Sequence, residues 1–149
     1  MKCKNLARLT AAACLLIQSA AWAAAPVIDV YKTATCGCCK EWAKHLEKNG
    51  FTVHTHDVAN PSDYREKYGI PQQFGSCHTG VVQGYALEGH VPAAEVRRLL
   101  AQKPKARGLA VPAMPMGSPG MEGPRSDPYD VYLIKQDGKA SVYQHYGPK

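Results

Sequence analysis

The chain has 149 residues and a formal net charge of +6, enough for one domain of ordinary size with a real core. Its Lys and Arg residues are dispersed, with only Arg97 and Arg98 adjacent in the body of the chain. No basic stripe interleaved with aromatics runs through it, which argues against nucleic-acid binding.

The first 23 residues stand apart. Lys2, Lys4 and Arg8 form a basic start, Leu9 to Ala21 an apolar centre, and Ala21-Trp22-Ala23 a small-residue cleavage signal. This pattern predicts a secretory signal peptide and export to a bacterial periplasm, with a single domain over 26–149. The apolar run is too short to span a bilayer, and no later stretch approaches that length, so no stable membrane insertion is expected. Ala11-Ala12-Ala13-Cys14 is a weak rival, a lipoprotein-like box, but Leu15, Leu16 and Ile17 carry the apolar run past the cysteine. Cleavage after Ala23 removes three basic and no acidic residues, which lowers the formal charge from +6 to +3. It also removes Cys3 and Cys14, leaving Cys36, Cys38, Cys39 and Cys77. In an oxidising compartment an even cysteine count ordinarily means disulfides, but three thiols crowded into one motif suit a staple poorly.

Val27 to Thr33 reads as a first strand, and Cys39 to Asn49 as a helix ended by Gly50. Between them lies Thr35-Cys36-Gly37-Cys38-Cys39-Lys40. A thiol at a helix start meets unpaired N–H groups and the positive end of the helix dipole, which favour the thiolate. Cys39, Trp42, Ala43 and Leu46 fall at i, i+3, i+4 and i+7, the spacing of a buried stripe. Cys39 is therefore the sheltered thiol and Cys36 the accessible one. A redox pair needs only Cys36 and Cys39; the third thiol, Cys38, points first to a metal cluster. A thiol–disulfide site comes next and purely structural cysteines last.

Phe51 to Val58 alternates as a second strand, and Pro61-Ser62-Asp63 opens a short helix closed by Gly69 and Pro71. Thr79 to Tyr85 and Ala86 to Val91 read as two short strands, followed by Pro92 and a helix with Ala93, Val96, Leu99 and Leu100 on one face. Residues 103–128 contain six prolines, four glycines and Met114, Met116 and Met121; an irregular lid or linker is expected there. Asp130 to Gln136 and Lys139 to Tyr146 flank Asp137-Gly138, a hairpin signal.

Strand, helix, strand, hairpin and closing helix make an α/β layout with a mixed sheet flanked by helices. With Cys-x-x-Cys at the first strand-to-helix junction, it resembles the thioredoxin-like fold, extended by a C-terminal β-hairpin and a long Met/Pro/Gly loop. In such folds the segment entering the third strand passes beside the Cys-x-x-Cys, commonly with a cis-proline. Here that segment is Gly75-Ser76-Cys77-His78-Thr79, so the resemblance places Cys77 near the other three thiols.

Val30-Tyr31-Lys32 with Cys36-Gly37-Cys38-Cys39, then Ser76-Cys77-His78-Thr79, Glu88-Gly89-His90-Val91-Pro92 and Gly117-Ser118-Pro119-Gly120-Met121-Glu122 together resemble the CopG-type copper-resistance family. The resemblance covers nearly all of 27–134. It implies an exported protein whose Cys36, Cys38, Cys39 and Cys77 hold copper as a cluster, with His78, His90 and the loop methionines as further ligands. It also implies other periplasmic copper-handling proteins as partners. The donor set agrees: thiolates, imidazoles and thioethers favour Cu(I), leave room for a Cu(I)/Cu(II) cycle, and make zinc the main competitor. Tightly spaced thiols are more readily shared among several Cu(I) ions than converged on one zinc. Met114, Met116 and Met121 could instead plug the loop onto the core. His54 and His56 share one strand face, a chelating spacing whose plainer reading is a polar edge strand; His45 and His145 read as solvated. The competing function is a thiol–disulfide oxidoreductase with Cys36 as nucleophile and Cys39 as resolving thiol.

Overall fold

The computed structural model describes residues 24–147; the expected signal peptide and the lipoprotein-like box lie outside them. The chain runs β1 (Val27–Lys32), α1 (Gly37–Lys48), β2 (Thr52–Asp57), α2 (Ser62–Lys67), a 3₁₀ turn (Gln72–Phe74), β3 (His78–Val82), β4 (Tyr85–Glu88), α3 (Ala93–Gln102), β5 (Ala106–Ala110), β6 (Tyr129–Lys135) and β7 (Ala140–Tyr146). All seven strands form one mixed sheet in the order β2-β1-β3-β4-β5-β6-β7. β1 and β2 are parallel, as are β4 and β5, and the other neighbours are antiparallel. The first four strands with α1, α2 and α3 are the α/β arrangement expected of a thioredoxin-like fold.

Strand alternation divides the interior between the two faces of the sheet. On one face Ile28, Val30, Val82, Leu87, Leu109 and Val131 pack against Trp42 and Leu46 of α1 and Val96 and Leu99 of α3. On the other, Ala86, Ala110 and Ile134 pack beneath Tyr68, Ile70 and Phe74, which follow α2. Cys39, Trp42, Ala43 and Leu46 are the buried residues of α1, the stripe expected from their spacing. The β3–β4 turn falls at Gln83-Gly84, both with positive φ (48° and 85°), the conformation a two-residue hairpin loop demands.

One expectation is corrected. Residues 103–128 are not irregular throughout, because Ala106–Ala110 is strand β5. It is buried between β4 and β6 and pairs with both. The irregular segment is 111–128, a strap running from the end of β5 to the start of β6. Among the described residues, no helix is long and apolar enough to cross a membrane.

Candidate metal centre

Three of the four cysteines are set by the first turn of α1. Cys36 is its N-cap, in extended conformation with no side-chain capping bond, so its sulfur is free to face the site. Cys36 and Cys39 are joined as a disulfide with Cα atoms 5.4 Å apart, and Cys39 is fully buried. Cys38 and Cys77 are half-buried free thiols.

Cys77 arrives from across the fold. Its Sγ lies 3.6 Å from Sγ of Cys39 and 3.8 Å from Sγ of Cys38. Cys38 Sγ is in turn 3.7 Å from Cys36 Sγ. All four sulfurs lie within 4.8 Å of one another.

His78 and Cys77 are sequence neighbours, and strand alternation would turn them to opposite faces. Cys77 escapes that rule because it occupies a bend, with β3 beginning at His78. Its Sγ is 3.3 Å from His78 Nδ1 and 3.5 Å from His90 Nε2. These three residues form a second convergent group that shares Cys77 with the first. His90 donates its Nδ1–H to the Pro119 carbonyl at 2.8 Å, which leaves the Nε2 lone pair facing the thiol, the orientation a metal-ligating imidazole needs. His78 is fully buried against Trp42, ring centroids 4.3 Å apart, and its Nε2 has no hydrogen-bond partner. Burial, reinforced by His90, lowers the His78 pKa to about 3, so the ring is neutral at any physiological pH. Burial also lowers His90. Burial, together with the nearby Cys38, pushes the Cys77 thiol up to about 12.

A polar scaffold that sequence reasoning missed holds the Cys77 segment. Glu88, fully buried, accepts the Ser76 N–H at 2.7 Å and the Thr79 hydroxyl at 2.7 Å, and pairs with buried Arg65 at 3.3 Å. Burial raises the Glu88 pKa although all three partners favour the carboxylate. Arg65 also donates to Gln72 Oε1 at 2.7 Å, tying α2 to the same bend. The only signal for this in the sequence was a carboxylate inside the short strand expected over Ala86 to Val91.

The strap closes the other side. Ala113 N–H bonds the Gly75 carbonyl at 3.1 Å, and Ser76 Oγ donates to the Ala113 carbonyl. Gly120, with φ +85°, lies so close to α1 that a Cβ there would sit 2.7 Å from Trp42 N and 2.8 Å from the Cys38 carbonyl oxygen. Met114 Sδ is 4.0 Å from Cys38 Sγ, on an exposed side chain. Met121 closes a turn of the strap through backbone bonds to Gly117 and Ser118, and the Met116 methyl packs on Gly123. His45, expected to be solvated, is instead half-buried, and its Nε2 accepts the Ala93 N–H at the start of α3 (3.1 Å). Tyr31 stacks between Tyr64 and His56.

Comparison with solved structures gives two matches, "Copper resistance protein copG" in its form 2 and form 1. Form 2 is 50% identical, with a TM-score of 0.78 over 82% of this chain and 98% of its own. Form 1 is also 50% identical, with a TM-score of 0.77 over 81% and 97%. The chain belongs to the CopG copper-resistance family. A family model described as a protein of unknown function, DUF411, matches residues 74–121, the CopG segment that carries Cys77, both buried histidines and most of the strap. No curated protein matches the chain. Membership of the CopG family and the four-cysteine cluster together indicate metal binding.

Proposed function

We propose that this chain is a periplasmic copper-binding protein of copper resistance, exported by its first 23 residues, that holds Cu(I) as a multinuclear cluster on Cys36, Cys38, Cys39 and Cys77. The observation that carries this reading is the approach of Cys77 Sγ to within 3.6 and 3.8 Å of two α1 sulfurs from 38 and 39 residues away. Such spacing alone also suits a zinc tetrahedron, whose sulfurs sit about 3.8 Å apart for bonds of about 2.3 Å. The donors beyond the four thiols favour copper in this reading: His78 Nδ1, His90 Nε2 and Met114 Sδ lie within 4.0 Å of a cluster sulfur. A closed zinc site uses four ligands, whereas soft sulfur and thioether donors in excess suit several bridged Cu(I) ions. Met116 and Met121 belong to the same strap and are reserve ligands in this reading. Copper-handling proteins of the periplasm are the partners it implies.

The Cys36–Cys39 disulfide belongs to the oxidised form, in which two of the four donors are unavailable. The dithiol and disulfide differ by two electrons and two protons. Two Cu(II) ions becoming two Cu(I) ions take up the same two electrons, so oxidation of the dithiol can supply them while releasing two protons. Anaerobic loading of the reduced protein with Cu(I), followed by metal analysis and copper X-ray absorption, tests the assignment. More than one copper per chain with copper–sulfur and copper–copper distances is expected; one stoichiometric zinc or a single isolated copper overturns it.

The same disulfide favours a second reading, a thiol–disulfide oxidoreductase with Cys36 as nucleophile and Cys39 as resolving thiol. Against it, Cys77 stands where such folds commonly carry the proline that helps shape the substrate groove. Disulfide exchange lost in Cys36→Ser and kept in Cys38→Ser would support this reading; no exchange by copper-free protein removes it.

A further inference from the structure

On the sheet face opposite α1, at the exposed edge, β1 and β2 bring together three side chains that the cysteine site does not use. In the parallel register Asp29 is paired with His54, and Tyr31 with His56. Paired residues share a face, as do residues two apart on one strand, so the Asp29 carboxylate stands between the two imidazoles. His56 Nε2 is 2.7 Å from Asp29 Oδ1, and His54 Nδ1 is 3.9 Å from the same oxygen. All three side chains are solvent-accessible, at 41% for Asp29, 59% for His54 and 44% for His56. The His56 ring is stacked on Tyr31 at 5.0 Å, and Tyr31 on Tyr64 of α2 at 3.7 Å, which holds one of the two imidazoles in orientation.

We propose that Asp29, His54 and His56 form a surface site for a divalent transition metal, with Cu(II) bound most tightly. Two imidazole nitrogens and one carboxylate oxygen are borderline to hard donors, the opposite of the sulfur site, and the affinity order of divalent ions at such donors peaks at copper. Bonds of about 2.0–2.2 Å at right angles put neighbouring donors about 3 Å apart. The His56–Asp29 pair is already close to that separation; His54 stands 3.9 Å from the same oxygen, and binding requires its exposed ring to swing inward to complete the triad. Three protein donors leave coordination positions open to water or to an incoming ligand. A plain imidazole–carboxylate pair is present elsewhere for comparison: His145 Nδ1 lies 2.7 Å from Asp130 Oδ1 on the outer hairpin. The distinguishing feature of the β1–β2 edge is the second imidazole on the same carboxylate.

The experiment uses mature protein with its cysteine site preloaded with Cu(I), which is silent in electron paramagnetic resonance, and titrates it with Cu(II) alone. The spectrum of the first equivalent is expected to show coupling to two nitrogens. His54→Gln/His56→Gln is expected to weaken Cu(II) binding at least tenfold and to remove that coupling, and Asp29→Asn to weaken it with the nitrogen coupling kept. His145→Gln is expected to change neither. Equal Cu(II) affinity in wild type and His54→Gln/His56→Gln overturns the proposal, as does loss of the signal in His145→Gln. These substitutions leave the four cysteines untouched, so Cu(I) capacity, measured on the same samples, reports the sulfur site separately.

Discussion

Cys77 Sγ lies 3.6 Å from Cys39 Sγ, although the two are 38 positions apart along the chain, and the pairing of β1 with β3 brings the two segments together. Cys77→Ser removes the one cysteine of the cluster that does not come from the start of α1. It is expected to lower Cu(I) capacity by at least one ion per chain and to abolish copper–copper scattering. Far-ultraviolet circular dichroism is expected to stay unchanged, because Cys77 is only half-buried. Unchanged copper content in this variant, measured by metal analysis after competition with a Cu(I) chelator, would refute the four-sulfur cluster.

On the proposed copper reading, the Cys36–Cys39 disulfide makes loading depend on reduction. Protein kept oxidised is expected to take up less Cu(I) than reduced protein, and thiol titration is expected to show two more reactive thiols after reduction. Blocking the titratable thiols before reduction separates Cys38 and Cys77 from the disulfide pair. Equal copper uptake by oxidised and reduced protein would show that the pair contributes no ligands.

Glu88 is a buried anchor for the Cys77 bend. Glu88→Ala strands Arg65 without its carboxylate and leaves Ser76 N–H and the Thr79 hydroxyl unpaired. Breaking a buried pair from one side costs about 3–5 kcal/mol, so a large drop in the denaturant midpoint is expected, with weaker Cu(I) binding beside it. Chemical denaturation and chelator competition read the two effects. An unaltered midpoint would mean the ion pair holds nothing in place.

The strap is held by a glycine contact as well as by hydrogen bonds. Gly120→Ala places a methyl against the backbone of Trp42 and Cys38 at a positive φ, a combination that costs about 1–3 kcal/mol. The strap is expected to lift from α1, seen as faster hydrogen exchange and protease cleavage within 111–128, while the sheet amides keep their protection. Equal exchange rates in variant and wild type would place the strap's anchorage elsewhere.

His45 gives a pH dependence of known sign. Burial lowers its pKa below the ordinary 6.5, aided by Arg97 on α3 and Lys48 on its own helix and opposed by Glu122 on the strap. The unfolded chain therefore takes the proton first as pH falls, so the stabilising contribution is complete above about pH 6.5 and is lost progressively below it. Protonation also deprives Ala93 N–H of its acceptor. His45→Gln keeps an acceptor that does not titrate and is expected to flatten the fall in stability below about pH 6.5; His45→Ala is expected to cost about 1 kcal/mol at neutral pH, the worth of a helix cap. Identical pH profiles in wild type and His45→Gln would sink this account.

Local patterns carried much of this architecture. The α1 stripe, the β6–β7 hairpin and the thiol motif are each local in sequence, so periodicity and turn chemistry sufficed. Strand β5 was hidden because Ala106-Arg107-Gly108-Leu109-Ala110 sits among prolines, and its strand character comes from two neighbours distant in sequence. His45 looked solvated from helix phase alone; the acceptor role it plays depends on where α3 begins. The Glu88–Arg65 scaffold joins two segments 23 residues apart, and no periodicity announces a tertiary ion pair. Cys77 was placed near α1 only through resemblance to a fold, since nothing local says which way a bend turns its thiol.

The division of the sulfurs between a single helical turn and a distant strand has a consequence for biogenesis. As the chain is synthesised the first three thiols emerge together and can pair with one another at once, whereas the fourth takes its position only when the hairpin of β3 and β4 docks. A nascent chain thus presents an incomplete chelate, and full capacity for the ion becomes a certificate that the central sheet has closed.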